Sequence, residues 1–208
     1  MEDTQVKSIL KTSYDQQAQQ RNQSEVQSWK ITEMQKFLAH LKPAAAVVDL
    51  GSGPGHQAEY LQQHGCDVTC VDLSEEMVRI CRQKGLRAEA MDFYALAFVP
   101  ESFDAVWTMN ALLHVPKASL RQVLEQIERV LKPDGLLYLG LYGGYESEGI
   151  WEEDNYRPQR FFAFYEDAHI QRLVAEVFDM EQFTIVTMED GMKLHYQSII
   201  ARKKQVRS

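Results

Sequence analysis

The chain has 208 residues, 22 basic against 30 acidic for a formal net charge of −8, and 45% hydrophobic residues. At ~100 to 200 residues per domain this is one domain with room for a real core, and the composition excludes collagen-like, low-complexity and disordered chains. The acidic balance disfavours a general nucleic-acid binder, no apolar run approaches the ~18 residues of a membrane span, and Met1 to Ser8 is too polar for a signal peptide, so a cytoplasmic protein is expected.

Residues 1–42 read as two helices. Val6, Ile9, Leu10, Tyr14 and Ala18 recur at helical spacing, and Ser24 with Gln27 forms a capping box ahead of Ile31, Met34, Leu38 and Leu41, with Pro43 as the stop. The glutamine-rich stretch from Gln16 to Gln23 reads as a weakly anchored connection. From Ala44 strand and helix alternate. Ala46 to Leu50 is a short apolar run suited to a strand buried on both faces, and the helix after it ends at Gly65. Asp67 to Asp72 is the next strand, Ser74 caps a helix closed by Gly85, and Leu86 to Met91 is the third strand. Phe103 to Met109 is the fourth. A helix showing Leu120, Val123, Leu124, Ile127 and Leu131 follows, ended by a turn at Pro133, Asp134 and Gly135, and Leu136 to Leu141 is the fifth strand. A last helix carries Ile170, Leu173, Val174, Val177 and Phe178. Phe183 to Met188 and Leu194 to Ala201 then make strands joined through Asp190-Gly191, a hairpin that inserts one antiparallel strand into a mostly parallel sheet. Arg202, Lys203, Lys204 and Arg207 read as a solvated, frayed tail. Cys66, Cys70 and Cys81 lack any zinc spacing and read as reduced, buried thiols.

The sharpest signal is Val47-Val48-Asp49-Leu50-Gly51-Ser52-Gly53-Pro54-Gly55-His56, an apolar strand entering a glycine loop that opens a helix. Such a loop lies in the crevice at the carboxyl ends of parallel strands, where backbone can approach a ligand and helix N–H groups face it. The spacing is GxGxG rather than the GxGxxG of a dinucleotide fingerprint, so a pyrophosphate is not the expected guest. Asp49 beside the glycines favours an amine or a sulfonium. Asp72, 17 residues after Gly55, stands where a carboxylate takes ribose hydroxyls, and Asp92-Phe93 at the third strand end suits an adenine.

From about Ala44 to Ala201 the chain resembles the class I S-adenosylmethionine-dependent methyltransferases. The resemblance rests on the loop VVDLGSGPGH, the strand ends VDLSEEM and MDF, the segment FDAVWTMNALLHV, the turn LKPDG and the final hairpin. It implies a Rossmann-like, doubly wound α/β fold: a seven-stranded sheet in the order 3-2-1-4-5-7-6, strand 7 antiparallel, helices on both faces. It implies S-adenosylmethionine as cofactor and S-adenosylhomocysteine as product. By position, Gly51 and Gly53 would lie against the methionine part, Asp49 near its amino group, and Asp72 on both ribose hydroxyls. Leu73 and Phe93 would sandwich the adenine, Asp92 would take its amine, the Met109-Asn110 backbone would meet the methionine tail, and Tyr14 would close over the cofactor. The division implied is a helical lid over residues 1–42 and a cofactor-binding domain over 43–208.

Methyl transfer from an activated sulfonium asks mainly for alignment and a dry pocket. A base is needed only if the acceptor must lose a proton. His114, after the fourth strand, is the candidate by position, and Tyr142 at the fifth strand end joins it as a candidate catalytic residue. Residues 142–165 hold 8 of the 21 aromatics, a density that argues against disorder and leaves two readings, an acceptor-side lid or a loop packed over the sheet. On the lid reading Arg160, Phe162 and Tyr165 face the acceptor, Arg160 through a carboxylate. Met109-Asn110-Ala111-Leu112 lacks the Asn-Pro-Pro-aromatic signature of base-methylating enzymes, and no acids follow the fourth strand to bind a metal. The expected partner is a small-molecule acceptor methylated at O, N, S or C, with no nucleic acid, membrane or metal, in a monomer or homodimer. Two alternatives are a non-catalytic cofactor-binding module serving a partner protein and, conflicting with the loop spacing and the hairpin, a nicotinamide oxidoreductase.

Overall fold

The computed structural model describes residues 1–187 and 194–205. Its main sheet holds β1 (Ala46–Leu50), β2 (Asp67–Asp72), β3 (Arg87–Ala90), β4 (Phe103–Met109), β5 (Leu131–Gly143), β8 (Phe178–Val186) and β9 (His195–Lys203), with β6 (Ser147–Ile150) and β7 (Phe161–Phe164) forming a separate antiparallel pair. The order is β3-β2-β1-β4-β5-β9-β8, parallel from β3 through β5. β9 runs antiparallel to both β5 and β8. Numbered within the sheet alone, this is the expected 3-2-1-4-5-7-6.

The central strands are largely apolar because both faces are covered: Val47, Val48, Ala105, Val106 and Trp107 are all fully buried. One face packs against α5 (Lys117–Val130), α6 (Asp167–Val177) and β7, through residues such as Val106, Leu124, Ile127 and Phe164. The other packs against α2 (Ser28–Leu38), α3 (His56–Gln63) and α4 (Glu75–Gln83), through Met34, Phe37, Leu61, Val78 and Trp107. Ser74 caps α4 as expected, its hydroxyl accepting the Met77 N–H at 3.1 Å. The three cysteines are free and buried.

Four local expectations need correcting. The glutamine-rich stretch is no loose connection, for α1 (Asp3–Asn22) runs through it, anchored by buried Val6, Leu10, Ser13 and Ala18. Ser24 does not cap α2. Its hydroxyl donates to the Arg21 carbonyl at 2.7 Å, and Gln27 holds the extended cap position instead, because residues 24–26 are drawn across the mouth of a cavity. The Pro133-Asp134-Gly135 turn does not separate helix from strand. It is absorbed into β5 as an irregularity, Phe103 pairing with Leu131 and Ala105 with Leu136, with Asp134 at φ +63°. The basic tail is not frayed either. Arg202 and Lys203 belong to β9, where Arg202 donates to Glu181 at 2.6 Å and Lys203 to the Leu131 carbonyl at 2.9 Å, while Lys204 reaches the Ala175 carbonyl at 2.8 Å. Arg207 and the expected Asp190-Gly191 turn lie outside the described residues. Among those described, no helix is long and apolar enough to cross a membrane and no group of three His, Cys, Asp or Glu side chains is placed to share a metal ion.

Candidate active site

β1, β2, β3 and β4 deliver their carboxyl ends to one edge of the sheet, where the glycine loop turns into α3. Gly51 sits at φ +75°, and a Cβ there would collide with the Ala111 methyl just beyond β4. Glycine at this point therefore lets the loop pack against the neighbouring strand end. The loop, those strand ends and α1 enclose a cavity of about 160 Å³.

Gly51, Gly53, Asp72, Leu73, Asp92, Phe93, Met109, Asn110 and, from α1, Tyr14 all line it. Asp49 lies behind the loop, 2% exposed. The strand-end acids are already engaged by backbone. Asp72 accepts the Gly53 N–H at one oxygen and the Ser74 N–H at the other, each at 2.9 Å. Burial still raises its pKa, against the pull of those bonds and of Arg21. Asp92 accepts the Tyr94 N–H at 3.0 Å and pairs with Lys7 of α1 at 2.6 Å. Burial, reinforced by the Asp72 charge, pushes Asp49 up to about 8. Its carboxyl is largely protonated at neutral pH.

Three polar atoms here are buried without a hydrogen-bond partner: Asp49 Oδ2, Asn110 Oδ1 and Arg21 Nε. Buried polar groups are almost always satisfied, so the orphans on Arg21 and Asn110, both on the cavity wall, suit a polar ligand there, with Asp49 behind the loop. Sequence reasoning passed over Arg21 because it lies in the glutamine-rich stretch. The signal was spacing: Lys7, Tyr14 and Arg21 stand seven apart, so one stripe of α1 faces the cavity.

His114 ends a single 3-10 turn, Leu112–His114, and lines the cavity. Its Nδ1 lies 2.7 Å from the Phe161 carbonyl, which can only accept, so Nδ1 carries the proton. Nε2 therefore accepts the Tyr14 hydroxyl at 2.6 Å. Arg160 donates to the same hydroxyl at 3.0 Å and holds Asp154 through two bonds of 2.7 and 2.9 Å. Burial, with the Arg160 and Arg21 charges beside it, pushes His114 down to about 3, so the ring is neutral.

The remaining candidates lie elsewhere. Tyr142 sits outside the cavity, edge-on to Trp29 and Tyr196 at 6.5 and 5.7 Å between ring centres. Arg160 touches it only through Tyr14, its guanidinium 3.7 Å from the centre of the Tyr156 ring and its carboxylate partner already supplied by Asp154. Phe162 packs on the His114 ring at 4.7 Å, and Tyr165 is fully buried beneath Lys117. Of the segment 142–165, β6 and β7 pair with each other, and Phe161, Phe162 and Phe164 join the core.

Residues 48–139 match the family model for a methyltransferase domain. That stretch, somewhat less than half of the chain, is where it resembles a methyltransferase domain. The chain is 40% identical over 104 residues to glycine/sarcosine/dimethylglycine N-methyltransferase of Actinopolyspora halophila, covering 46% of this chain and 18% of that protein. Ubiquinone biosynthesis O-methyltransferase of Xanthomonas oryzae pv. oryzae is 35% identical over 102 residues, covering 46% of this chain and 42% of that protein. The chain spans less than half the length of both of these curated relatives. Burkholderia thailandensis 1,6-didemethyltoxoflavin-N1-methyltransferase, solved with 1,6-didemethyltoxoflavin and S-adenosylhomocysteine bound, superposes with a TM-score of 0.79 at 21% identity, over 99% of this chain and 92% of that one. That likeness shows one shared fold over nearly the whole chain, helices α1 and α2 included.

Proposed function

We propose that the chain is an S-adenosylmethionine-dependent methyltransferase acting on a small molecule. The observation that carries this reading is the set of orphaned atoms. On the cavity wall Asn110 Oδ1 is an acceptor and Arg21 Nε a donor, and Asp49 behind them becomes a counter-charge on ionising, the complement of the ammonium and carboxylate of an amino-acid group. The GxGxG loop lies beside them. Asp72 keeps a free lone pair on each oxygen for ribose hydroxyls, Leu73 and Phe93 offer apolar surfaces to an adenine, and Asp92 stands ready for its amine. The names of both relatives, one an N- and one an O-methyltransferase of small compounds, support a small acceptor.

When bound, the cofactor supplies a methyl group on a positively charged sulfur. The protein's part is to hold both reactants in line and to keep water out. Residues 1–42 act as the cover, α1 presenting Lys7, Tyr14 and Arg21 to the cavity. His114 serves by position: with Nε2 given to Tyr14 and its pKa near 3, it fixes the Tyr14 hydroxyl rather than taking a proton from the acceptor.

Calorimetric titration of the full chain with S-adenosylhomocysteine tests the reading. Saturable binding is expected, weakened by ~1 to 3 kcal/mol in Asp72→Ala through loss of a charged hydrogen-bonding partner. No heat and no thermal shift at millimolar ligand would refute it.

A further inference from the structure

The cavity extends past the residues assigned to the cofactor. It continues beneath the link between α1 and α2 to the first turn of α2, where Glu25, Val26 and Lys30 line it. Lys30, partly buried as a residue, makes no hydrogen bond or ion pair among the described residues, its ammonium standing over the Trp29 ring 5.5 Å from the ring centre. Burial and the nearby Arg21 charge hold its pKa below the ordinary lysine range. An unpaired cation withdrawn from water costs free energy unless a ligand completes it.

The acids around Lys30 do not complete it. Asp72 is held by two backbone N–H groups, Asp92 by Lys7, and Asp49 is mostly neutral. Glu25 is exposed at the mouth and makes no ion pair among the described residues. The cofactor brings one carboxylate, and the orphaned Nε of Arg21, next to Gly53, is placed for it. A second cation remains.

Its place in the fold says what it serves. Trp29, the residue before Lys30, lies 4.6 Å from Tyr196 and 6.5 Å from Tyr142, ring centre to ring centre. The first turn of α2 therefore stands over the adjoining ends of β5 and β9, on the far side of β1 and β4 from the adenine-side residues at β3. That is the end of the cavity left for the methyl acceptor. We propose that the acceptor is a small acid, bearing a carboxylate or comparable anionic group that Lys30 grips while its nucleophilic atom faces the cofactor. This rests on the methyltransferase reading above and adds the chemical class of the substrate.

The test uses the full chain saturated with S-adenosylhomocysteine and two matched probe pairs, acetate against acetamide and benzoate against benzamide, titrated calorimetrically. At least one acid is expected to bind ten-fold or more tighter than its amide. Lys30→Met should abolish that preference and Lys30→Arg should keep it, both holding S-adenosylhomocysteine affinity within two-fold of the parent, whereas Arg21→Met should weaken the cofactor product by ten-fold or more. Equal or absent binding of acid and amide in both pairs overturns the proposal. So does a Lys30→Met protein that keeps the preference, or one that instead loses the cofactor product, which would put Lys30 on the cofactor carboxylate. Failure of the parent chain to bind S-adenosylhomocysteine at all is a separate result and overturns the methyltransferase reading together with this one.

Discussion

Asp49 and His114 are buried beside the same cavity and bend the pH dependence of stability in opposite senses. The Asp49 carboxyl ionises near 3.8 in the unfolded chain and near 8 when folded, so the folded state holds the extra proton and stability falls as pH rises across that window. The His114 ring, near 6.5 unfolded and 3 folded, does the reverse, so the unfolded state holds the extra proton and stability is lost as pH falls from 6.5 towards 3. Between about pH 4 and 6.5 the two slopes offset each other. From 6.5 to 8 only the Asp49 loss remains. Denaturant titrations of the unliganded chain should show stability declining over that upper interval, and Asp49→Asn should flatten the decline. Cofactor binding reads out the same group. An ammonium arriving near Asp49 favours the ionised carboxylate, so calorimetry at pH 7 in buffers of different ionisation enthalpy should detect release of close to one proton, absent in Asp49→Asn. Gly51 is a steric constraint of a different kind. With φ at +75° and the Ala111 methyl in the way, Gly51→Ala should cost about 2 to 4 kcal/mol in a denaturant titration.

At the level of elements, α1 shows what sequence reading resolves and what it blurs. Val6, Leu10 and Ala18 keep a helical period that survives in the structure, yet the glutamines around Arg21 hide the last turns because polar composition resembles a linker. Arg21 becomes meaningful only when the glycine loop, more than 30 residues away in sequence, folds beneath it. Aromatic density in 142–165 is compatible both with a lid and with a loop packed over the sheet. Density reports burial without saying against what: Phe161, Phe162, Phe164 and Tyr165 bury into the core, whereas Trp151 is exposed and Tyr156 packs against Tyr14 and accepts from Arg21. The fastening of α1 is testable. Tyr14→Phe removes the hydroxyl shared by His114 and Arg160 and leaves a buried imidazole nitrogen unsatisfied, so the folded state should lose ~1 to 3 kcal/mol in chemical denaturation. Tyr14→Phe should also quicken hydrogen exchange along Asp3–Asn22.

Over the whole molecule, topology was the most legible feature. Alternating apolar runs and amphipathic helices force a parallel sheet covered on both faces, and two consecutive terminal strands have no room for a crossover, so one must run backwards. The strand-end acids followed from that frame, since a residue closing a parallel strand is delivered to the crevice whatever else surrounds it. Pairings between distant segments were not legible, and the site depends on them: Tyr14 with His114, Arg160 with Asp154, Lys30 with no partner. Those follow from where helices dock, which hydrophobic periodicity specifies only to within a face.

β9 takes the sixth place in the sheet although every strand it touches precedes it in the chain. While a ribosome is still making the protein, β5 must hold Leu136–Gly143, which are almost all buried in the finished domain, as an open apolar border with its amides unpaired. Only when residues 195–203 emerge can that border be sealed and β8 drawn alongside. The glycine loop and its acids thus wait on a strand made long after them, and the nascent chain is most prone to aggregate in that interval.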